Sequence, residues 1–279
     1  MTGGKVYFVG GGPGDPELLT LKAQRIISQA DVIIYTGSLL DQGLFRAARS
    51  DAELHDSARL HLEQLVDLMV ERARAGKLVA RVHSGDPSIF GAIHEQMVAL
   101  ERAGVAYEIV PGVCSAFAAA AALGNELTVP EIAQTVIFTR AEGRTPMPDG
   151  QRLRDLAGHR ATMAIFLSGA LIAQVVEELS AGYPPDTPVA VVAYASQPNQ
   201  KIVRGTIEDI AAKSKLAGIR AQAMILVGPA LDPTIKERAG ERRSRLYDPS
   251  FSHSFRRRNA HGPAACDQCA DGQKTDEVE

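Results

Sequence analysis

Short apolar runs rich in β-branched residues alternate with helical periods along most of this chain, and this alternation restricts the fold more than any other feature. One helical stretch places Leu62, Leu65, Met69 and Ala73 on a single face. Alternation of this kind predicts an α/β fold. The run Val-Ala-Val-Val-Ala at 189–193 is apolar at every position, which favours mainly parallel sheets covered by helices on both faces. The predicted strands are residues 5–10, 31–35, 78–83, 106–110, 135–139, 162–167, 188–194, 201–205 and 222–227.

Length and charge exclude several classes of protein. The 279 residues predict about two domains. The 30 Lys and Arg against 33 Asp and Glu give a net charge of -3, so no basic field is available for nucleic acid or an anionic membrane. The 3 cysteines cannot form a disulfide framework, and no apolar run approaches the roughly 20 residues of a membrane span. Because the first residues also lack a signal-peptide pattern, we expect a cytoplasmic protein without nucleic-acid or membrane partners.

The chain divides at two places. A Pro-Gly turn at 111–112 ends the first block of alternating elements, and an Ala-rich helix follows it. Near the end, Tyr247, Phe251 and Phe255 recur at a spacing of four, which is typical of one apolar stripe. Residues 257–279 are polar and charged, and we expect them to be disordered. The predicted regions are an N-terminal α/β domain at 1–112, a C-terminal α/β domain at 113–245, and an aromatic segment and tail at 246–279.

A glycine-rich turn follows the first strand. Residues 9–17 read Val-Gly-Gly-Gly-Pro-Gly-Asp-Pro-Glu, with Asp15 as a helix N-cap and Pro16 at the first helical position. The glycines allow a ligand to approach bare backbone, whose N–H groups can bind an anion. Asp15 stands where a dinucleotide fingerprint needs its third glycine, and no phosphate-loop lysine follows. A tight turn without any ligand remains an alternative for this motif alone.

The same device occurs a second time. Residues 82–91 read Val-His-Ser-Gly-Asp-Pro-Ser-Ile-Phe-Gly, which again predicts strand, turn and helix. Ligands of parallel sheets bind beyond the carboxyl ends of the strands, so two such turns favour one shared binding crevice. A third motif, Pro-Gly-Val-Cys-Ser-Ala-Phe-Ala-Ala-Ala-Ala at 111–121, has small residues that let a helix approach a ligand or a sheet closely.

These three motifs, in this order, resemble the tetrapyrrole methylase family. The resemblance also includes Leu-Leu-Thr-Leu-Lys at 18–22, Ala-Asp-Val-Ile-Ile-Tyr at 30–35 and Ala-Leu-Gly-Asn-Glu-Leu-Thr at 122–128, and it spans about residues 5–230. Within the family, His-Asp-Ser-Ala at 55–58, Thr-Arg-Ala-Glu-Gly-Arg-Thr at 139–145 and the tail at 245–256 are similar to the branch that methylates precorrin-4 at ring carbon 11 in cobalamin synthesis.

The resemblance implies two α/β domains with the active site in the cleft between them, a homodimer, and S-adenosylmethionine as methyl donor. It implies a tetrapyrrole substrate, precorrin-4, that becomes precorrin-5. The residues that should surround S-adenosylmethionine by this similarity are Pro13, Ser84, Gly85, Asp86, Ile89, Phe90, Cys114, Ser115, Leu167, Ala195 and Ala223.

The reaction does not demand a strong base, because a sulfonium is a good methyl donor and positioning supplies most of the acceleration. If a proton is lost later, the candidates to receive it are His55, Asp56, His83 and Tyr35; each can equally be a hydrogen-bonded structural residue. Uroporphyrinogen methylases carry Asp after the tyrosine of the second strand, whereas Thr36 follows Tyr35 here, so that reaction is not expected.

A polycarboxylate substrate requires cations at the cleft. Arg140 and Arg144 follow a strand end and are the predicted substrate-binding residues, although loop arginines are often only solvated. No metal site is expected, because Cys266 and Cys269 lack a second ligand pair at a suitable spacing.

Three alternatives remain. The first glycine turn also fits a Rossmann-type methyltransferase, but the second strand lacks the closing acidic residue that such enzymes use for the ribose. A non-catalytic tetrapyrrole carrier with the same fold is possible. The substrate can also be cobalt-precorrin-4 of an early-cobalt route, because a similar pocket would accept both forms.

Overall fold

The computed structural model describes residues 4–37, 40, 42–236 and 251–252. One compact unit, Met1–Pro233, contains two five-stranded sheets with helices packed against them. The predicted α/β class is therefore confirmed. The predicted domain division at 112 stays a prediction, and the predicted aromatic segment and tail at 246–279 lie outside the described residues except for 251 and 252.

The first sheet uses the N-terminal strands. Its elements are β1 (Lys5–Gly10), α1 (Leu21–Gln29), β2 (Val32–Tyr35), β3 (Glu53–Asp56), α2 (Leu62–Arg74), β4 (Leu78–His83), α3 (His94–Arg102) and β5 (Tyr107–Val110). The strand order is β3-β2-β4-β1-β5, and all neighbours are parallel. The carboxyl ends of all these strands consequently meet at one edge, where the loops that follow them gather.

The second sheet follows in sequence. Its elements are α4 (Ser115–Leu123), β6 (Val136–Arg140), α5 (Leu153–Ala157), β7 (Thr162–Phe166), α6 (Ile172–Leu179), β8 (Pro188–Ala193), β9 (Lys201–Thr206), α7 (Ile210–Leu216) and β10 (Ala223–Val227). The strand order is β6-β7-β10-β8-β9. Only β6 and β7 pair in parallel, while the other neighbours are antiparallel.

Apolar stripes fix the helices on the first sheet. On one face, α1 buries Ile26 and Ile27 together with Ile33 of β2. On the other face, α2 buries Met69 in one cluster with Phe8 of β1. Each helix therefore turns its hydrophobic side to the sheet and its charged side to water, which is the main source of helix stability in proteins.

Every predicted strand is present, with ends that differ from the prediction by one residue at most. The prediction misses β3, whose sequence Glu-Leu-His-Asp shows no apolar run. This strand is a short edge strand, and its one large apolar side chain, Leu54, is half exposed. This edge strand buries too little surface to leave a hydrophobic signature in its sequence.

The predicted parallel pairing is correct for the first sheet and wrong for the second. Strand β8 is buried along its length, as the apolar run at 189–193 suggests, but its neighbours β9 and β10 run antiparallel to it. Burial of both faces shows that other elements cover the strand, but it does not show in which direction the neighbouring strands run. Direction is decided by connections: the short loop between β8 and β9 can join only antiparallel neighbours, because a parallel crossover needs a dozen or more residues.

The three glycine motifs meet backbone against backbone. Gly12 and Gly85 exchange hydrogen bonds, from Gly12 N to Gly85 O at 3.2 Å and from Gly85 N to Gly12 O at 2.7 Å. A Cβ atom on Gly112 would lie 2.2 Å from the Gly85 oxygen and 2.7 Å from the Gly10 Cα. No side chain fits between these turns, so glycine is required at their contact.

The helical starts differ between the two Gly-Asp-Pro turns. Asp15 caps a short 3-10 helix, Pro16–Leu18, by accepting a hydrogen bond from the Glu17 amide at 2.9 Å, as expected. After the second turn no helix starts directly, which corrects the prediction: residues 86–90 form turns and α3 begins only at His94. The carboxylate of Asp86 bonds to Gly112 of the third motif as well as to its own turn, and this ties the segment down in a non-helical form.

We expect Gly112→Ala to destabilise the protein by about 1 to 3 kcal/mol, because the new methyl group must displace backbone atoms that cannot move independently. Urea denaturation followed by circular dichroism measures this change. Gly143→Ala is the matched control, since its Cβ would meet only Leu171 Cδ1 at 3.6 Å. Equal stability of the two variants would contradict the proposed tight contact of the turns.

Candidate functional site

A cavity of about 500 Å³ lies where the glycine turns of the first sheet face loops of the second. It is lined by every residue that the family resemblance assigns to S-adenosylmethionine: Pro13, Ser84, Gly85, Asp86, Ile89, Phe90, Cys114, Ser115, Leu167, Ala195 and Ala223. These residues come from separate segments of the chain. A second cavity of about 630 Å³, beside Tyr183 and Arg204, contains none of the motif residues.

Asp86 connects two of the motifs that form the wall of this cavity. Its carboxylate accepts hydrogen bonds from the Ser88 amide at 2.8 Å and from the Gly112 amide at 2.9 Å. Burial tends to raise the pKa of Asp86, but the bonds from Ser88 and Gly112 outweigh it and hold the pKa below its ordinary value. The side chain is therefore ionised at neutral pH and joins the second motif to the third.

Backbone strain is concentrated around the cavity. Non-glycine residues with a positive φ are uncommon in proteins and mark turns or functional sites. The described residues that combine a positive φ with a place in the cavity wall are Phe90 (54°), Leu167 (55°), Tyr194 (53°) and Gln222 (48°). Both sheets contribute to this set, so the local strain is a property of the cavity rather than of one loop.

Two large apolar side chains of the cavity wall are exposed. Leu167 is 67% exposed and Phe90 is 45% exposed, which is unusual for residues of their size in a folded core. The Phe90 ring lies 5.2 Å from the ring of Phe166, which belongs to β7 of the other sheet. The cavity thus offers apolar surface to a flat or aliphatic ligand, with polar backbone groups at the turns.

Two polar contacts join the first glycine turn to the loop after β8. The Asp15 amide donates to Ser196 Oγ at 3.1 Å, and the Gln197 side chain donates to the Pro13 carbonyl at 3.3 Å. Gln197 also lines the cavity. The sequence carries no signal for these residues, because they follow a strand as part of an ordinary polar loop.

Of the candidate proton acceptors, His83 alone lines the cavity. Burial, helped by the positive charge of Arg81, lowers the pKa of His83 to about 3, so the imidazole is neutral at physiological pH. Its Nε2 has no hydrogen-bond partner among the described residues.

The other candidates, Asp56, His55 and Tyr35, make contacts within their own part of the first sheet. Asp56 accepts hydrogen bonds from Gly37 N at 3.0 Å and Ala58 N at 2.9 Å, which hold its pKa below the usual value. His55 Nε2 lies 3.2 Å from a carboxylate oxygen of Glu53, and the Tyr35 ring centroid lies 4.9 Å from that of Phe45, with the two rings tilted by 49°. None of these three side chains lines the cavity.

The predicted substrate arginines also lie outside the cavity lining. Arg140 donates to the carbonyl groups of Ala141, Thr145 and Pro146 at 3.0 to 3.2 Å, so it holds its own loop together. Arg144 is exposed on that loop. The arginines that do line the cavity are Arg81 and Arg220, which the sequence analysis does not single out.

Cys114 is buried in the cavity wall at 5% exposure. Burial is the main cause that raises the pKa of its thiol, so the residue is protonated and acts as a small apolar side chain rather than a nucleophile. No group of three or more metal-ligating side chains occurs among the described residues. Cys266 and Cys269 lie outside them. Within the described part of the chain, no helix is long and apolar enough to cross a membrane.

Curated proteins include relatives that match nearly the whole chain. A cobalt-precorrin-4 C(11)-methyltransferase of Priestia megaterium is 52% identical over 91% of this chain and 98% of its own length. A precorrin-4 C(11)-methyltransferase of Pseudomonas aeruginosa is 49% identical over 90% of this chain and 98% of its own length.

Solved structures agree with this result. A cobalt precorrin-4 methyltransferase is 53% identical and has a TM-score of 0.80 over 82% of this chain and 96% of its own. A uroporphyrin-III C-methyltransferase of Thermus thermophilus, complexed with S-adenosylhomocysteine, is 31% identical and has a TM-score of 0.69 over 82% of this chain and 99% of its own.

The family model of the tetrapyrrole (corrin/porphyrin) methylases matches residues 5–211, which include all three glycine motifs. With half-identical relatives along almost the full length and the same fold in their structures, the chain belongs to the tetrapyrrole methylase family.

Proposed function

We propose that this protein transfers a methyl group from S-adenosylmethionine to carbon 11 of precorrin-4, in cobalamin biosynthesis. The observation that carries the proposal is the single cavity in which all the family's donor-binding positions meet, in a chain about half identical to precorrin-4 C(11)-methyltransferases. Cobalt-precorrin-4 is the second candidate substrate, because relatives named for that form are as similar as those named for the metal-free form.

The cavity fits the proposed donor on physical grounds. Its volume of about 500 Å³ lies in the usual range for small-molecule sites. The open apolar side chains of Leu167, Phe90 and Ile89 suit an adenine ring, and the bare backbone of Gly85 suits the polar groups of the ribose and amino acid. Gly85 has a φ of 64°, a backbone conformation that would strain a residue with a side chain.

When bound, the sulfonium supplies an activated methyl group, and the protein contributes chiefly orientation. The glycine turns, fixed by Asp86, would hold one side of the donor, while Leu167 and Ala223 would hold the other. Reaction then requires the ring carbon to lie in line with the methyl group, which is the positioning effect that accelerates such transfers. His83, with a pKa of about 3, is too weakly basic to drive proton removal and serves better as a neutral hydrogen-bonding group near the substrate.

Substrate recognition at Arg140 and Arg144 stays a prediction, and the bonds of Arg140 to its own loop give it less support than the sequence suggests. For the cell compartment we propose the cytoplasm, because 3 cysteines in 279 residues suit a reducing compartment.

Incubation with S-adenosylmethionine should add one methyl group to precorrin-4 or to cobalt-precorrin-4, but not to uroporphyrinogen III. Mass spectrometry measures the methyl count, and carbon-13 NMR with labelled donor locates it at carbon 11. Comparison of kcat/KM for the two forms decides between them. Binding of tetrapyrrole without any methylation would instead support the carrier alternative.

We expect Ala223→Leu to weaken binding of S-adenosylhomocysteine at least about tenfold, because the larger side chain occupies donor space. Isothermal titration calorimetry measures the affinity, and thermal unfolding shows whether the fold is retained. Ala181→Leu makes the same change at an exposed position away from the cavity and serves as control. Unchanged affinity in a folded Ala223→Leu protein would place the donor elsewhere.

We also propose a homodimer. An exposed aromatic surface supports it: Phe117 of α4 is 56% exposed, and its ring lies 5.8 Å from that of Phe138. Light scattering should give twice the 29.8 kDa chain mass, and Phe117→Glu should shift the particle towards one chain. A wild-type particle of single-chain mass would refute the dimer.

A further inference from the structure

Arg81 occupies an unusual position for an arginine. It lies in the middle of β4, opposite Phe8 of β1 and Ile34 of β2, and is only 6% exposed. The residues around it in the sheet are apolar. Arginine is almost never buried in this way without a partner, because removing its charge from water is costly. Arg81 also lines the cavity described above.

The guanidinium is poorly satisfied within the protein. Its Nη1 donates to the Ile34 carbonyl at a long 3.4 Å, and its Nε has no hydrogen-bond partner among the described residues. A guanidinium has five N–H donors, so this arrangement leaves most of its capacity unused. An unpartnered buried donor costs free energy unless a ligand or water meets it.

The nearest negative charge does not complete the site. Asp56 acts on Arg81 through its charge, but its carboxylate accepts its hydrogen bonds from Gly37 N and Ala58 N. Burial lowers the pKa of Arg81 to about 10, while Asp56 opposes this shift, so the group is still cationic at neutral pH. Arg81 therefore places a positive charge in the cavity wall, and no carboxylate among the described residues bonds to it.

His83 provides a second unsatisfied group at the same place. It follows Arg81 by two residues on β4, so both side chains leave the same face of the strand. It lines the cavity, is 5% exposed, and its Nε2 also lacks a partner. The buried Arg81 cation and the buried neutral His83 imidazole each have a nitrogen without a partner among the described residues. Together they are suited to bind an anionic oxygen group.

We propose that Arg81, assisted by His83, is the carboxylate-binding group of this cavity. A guanidinium matches a carboxylate in geometry as well as charge. The proposal rests on the proposed function, which offers two sources of that carboxylate: the amino-acid end of the methyl donor and the acidic side chains of the tetrapyrrole.

Binding measurements on Arg81→Met, which keeps much of the stem but removes the charge, distinguish these sources. If the donor carboxylate binds here, the variant should bind S-adenosylhomocysteine about 10- to 100-fold more weakly, yet bind 5′-methylthioadenosine, which lacks the amino acid, as the wild type does. If a substrate carboxylate binds here, S-adenosylhomocysteine affinity should stay unchanged while the KM for the tetrapyrrole rises by a similar factor.

Arg81→Lys should recover part of the lost affinity, because it keeps the charge without the planar fork. Arg74→Met is the matched control, since Arg74 is exposed at the end of α2 and, among the described residues, bonds only to the Ala103 carbonyl. Equal binding of all ligands by wild type and Arg81→Met overturns the proposal, as does an equal loss of S-adenosylhomocysteine and 5′-methylthioadenosine.

If Arg81→Met does not fold, esters of the ligands test the proposal with the wild-type protein. The wild-type protein should bind the carboxyl methyl ester of S-adenosylhomocysteine, or the fully esterified tetrapyrrole, at least about tenfold more weakly than the free acid. Equal affinity for acid and ester in both series would overturn the site. Failure of the wild type to bind S-adenosylhomocysteine at all would instead contradict the proposed function.

Discussion

The contact between three glycine turns underlies the rest of this structure. Gly12 and Gly85 bond to each other through their backbones, and Gly112 approaches both turns so closely that a methyl group would collide with backbone atoms. Asp86 adds a side-chain bond to the Gly112 amide. Adjacent parallel strands bring the first two turns together, and the start of the second half of the chain is attached to them. The cavity wall is thus built from main chain, whose position side-chain motion cannot change.

This construction suits a reaction that depends on orientation. Glycine turns on one side and the strained residues Leu167 and Tyr194 on the other bound the space of the cavity. Three titratable groups of the cavity wall agree with this interpretation: Cys114 is protonated, His83 is neutral, and the Asp86 carboxylate already accepts hydrogen bonds from backbone amides. None is suited to strong base catalysis. Arg81 differs from these three residues in another way, since it is cationic and makes only one long hydrogen bond among the described residues.

The errors of the sequence-based prediction have separate physical causes. Strand β3 was missed because an edge strand with polar residues buries little, so no apolar run marks it. The predicted direction of β8 relative to its neighbours was wrong, because the burial of a strand does not depend on whether its neighbours are parallel or antiparallel. The helix expected after the second Gly-Asp-Pro turn starts late because Asp86 bonds to a glycine 26 residues further on.

The sequence by itself determined the α/β class, the places of nearly all strands and the turns that line the cavity. These features depend on local periodicity and turn chemistry, which neighbouring residues encode. Tertiary structure alone decided which cations reach the cavity: Arg140 bonds to its own loop, whereas Arg81, in an ordinary-looking strand, is buried beside the ligand space. Such differences arise from contacts between residues far apart in the chain, and no local pattern records whether a charged side chain finds a partner there.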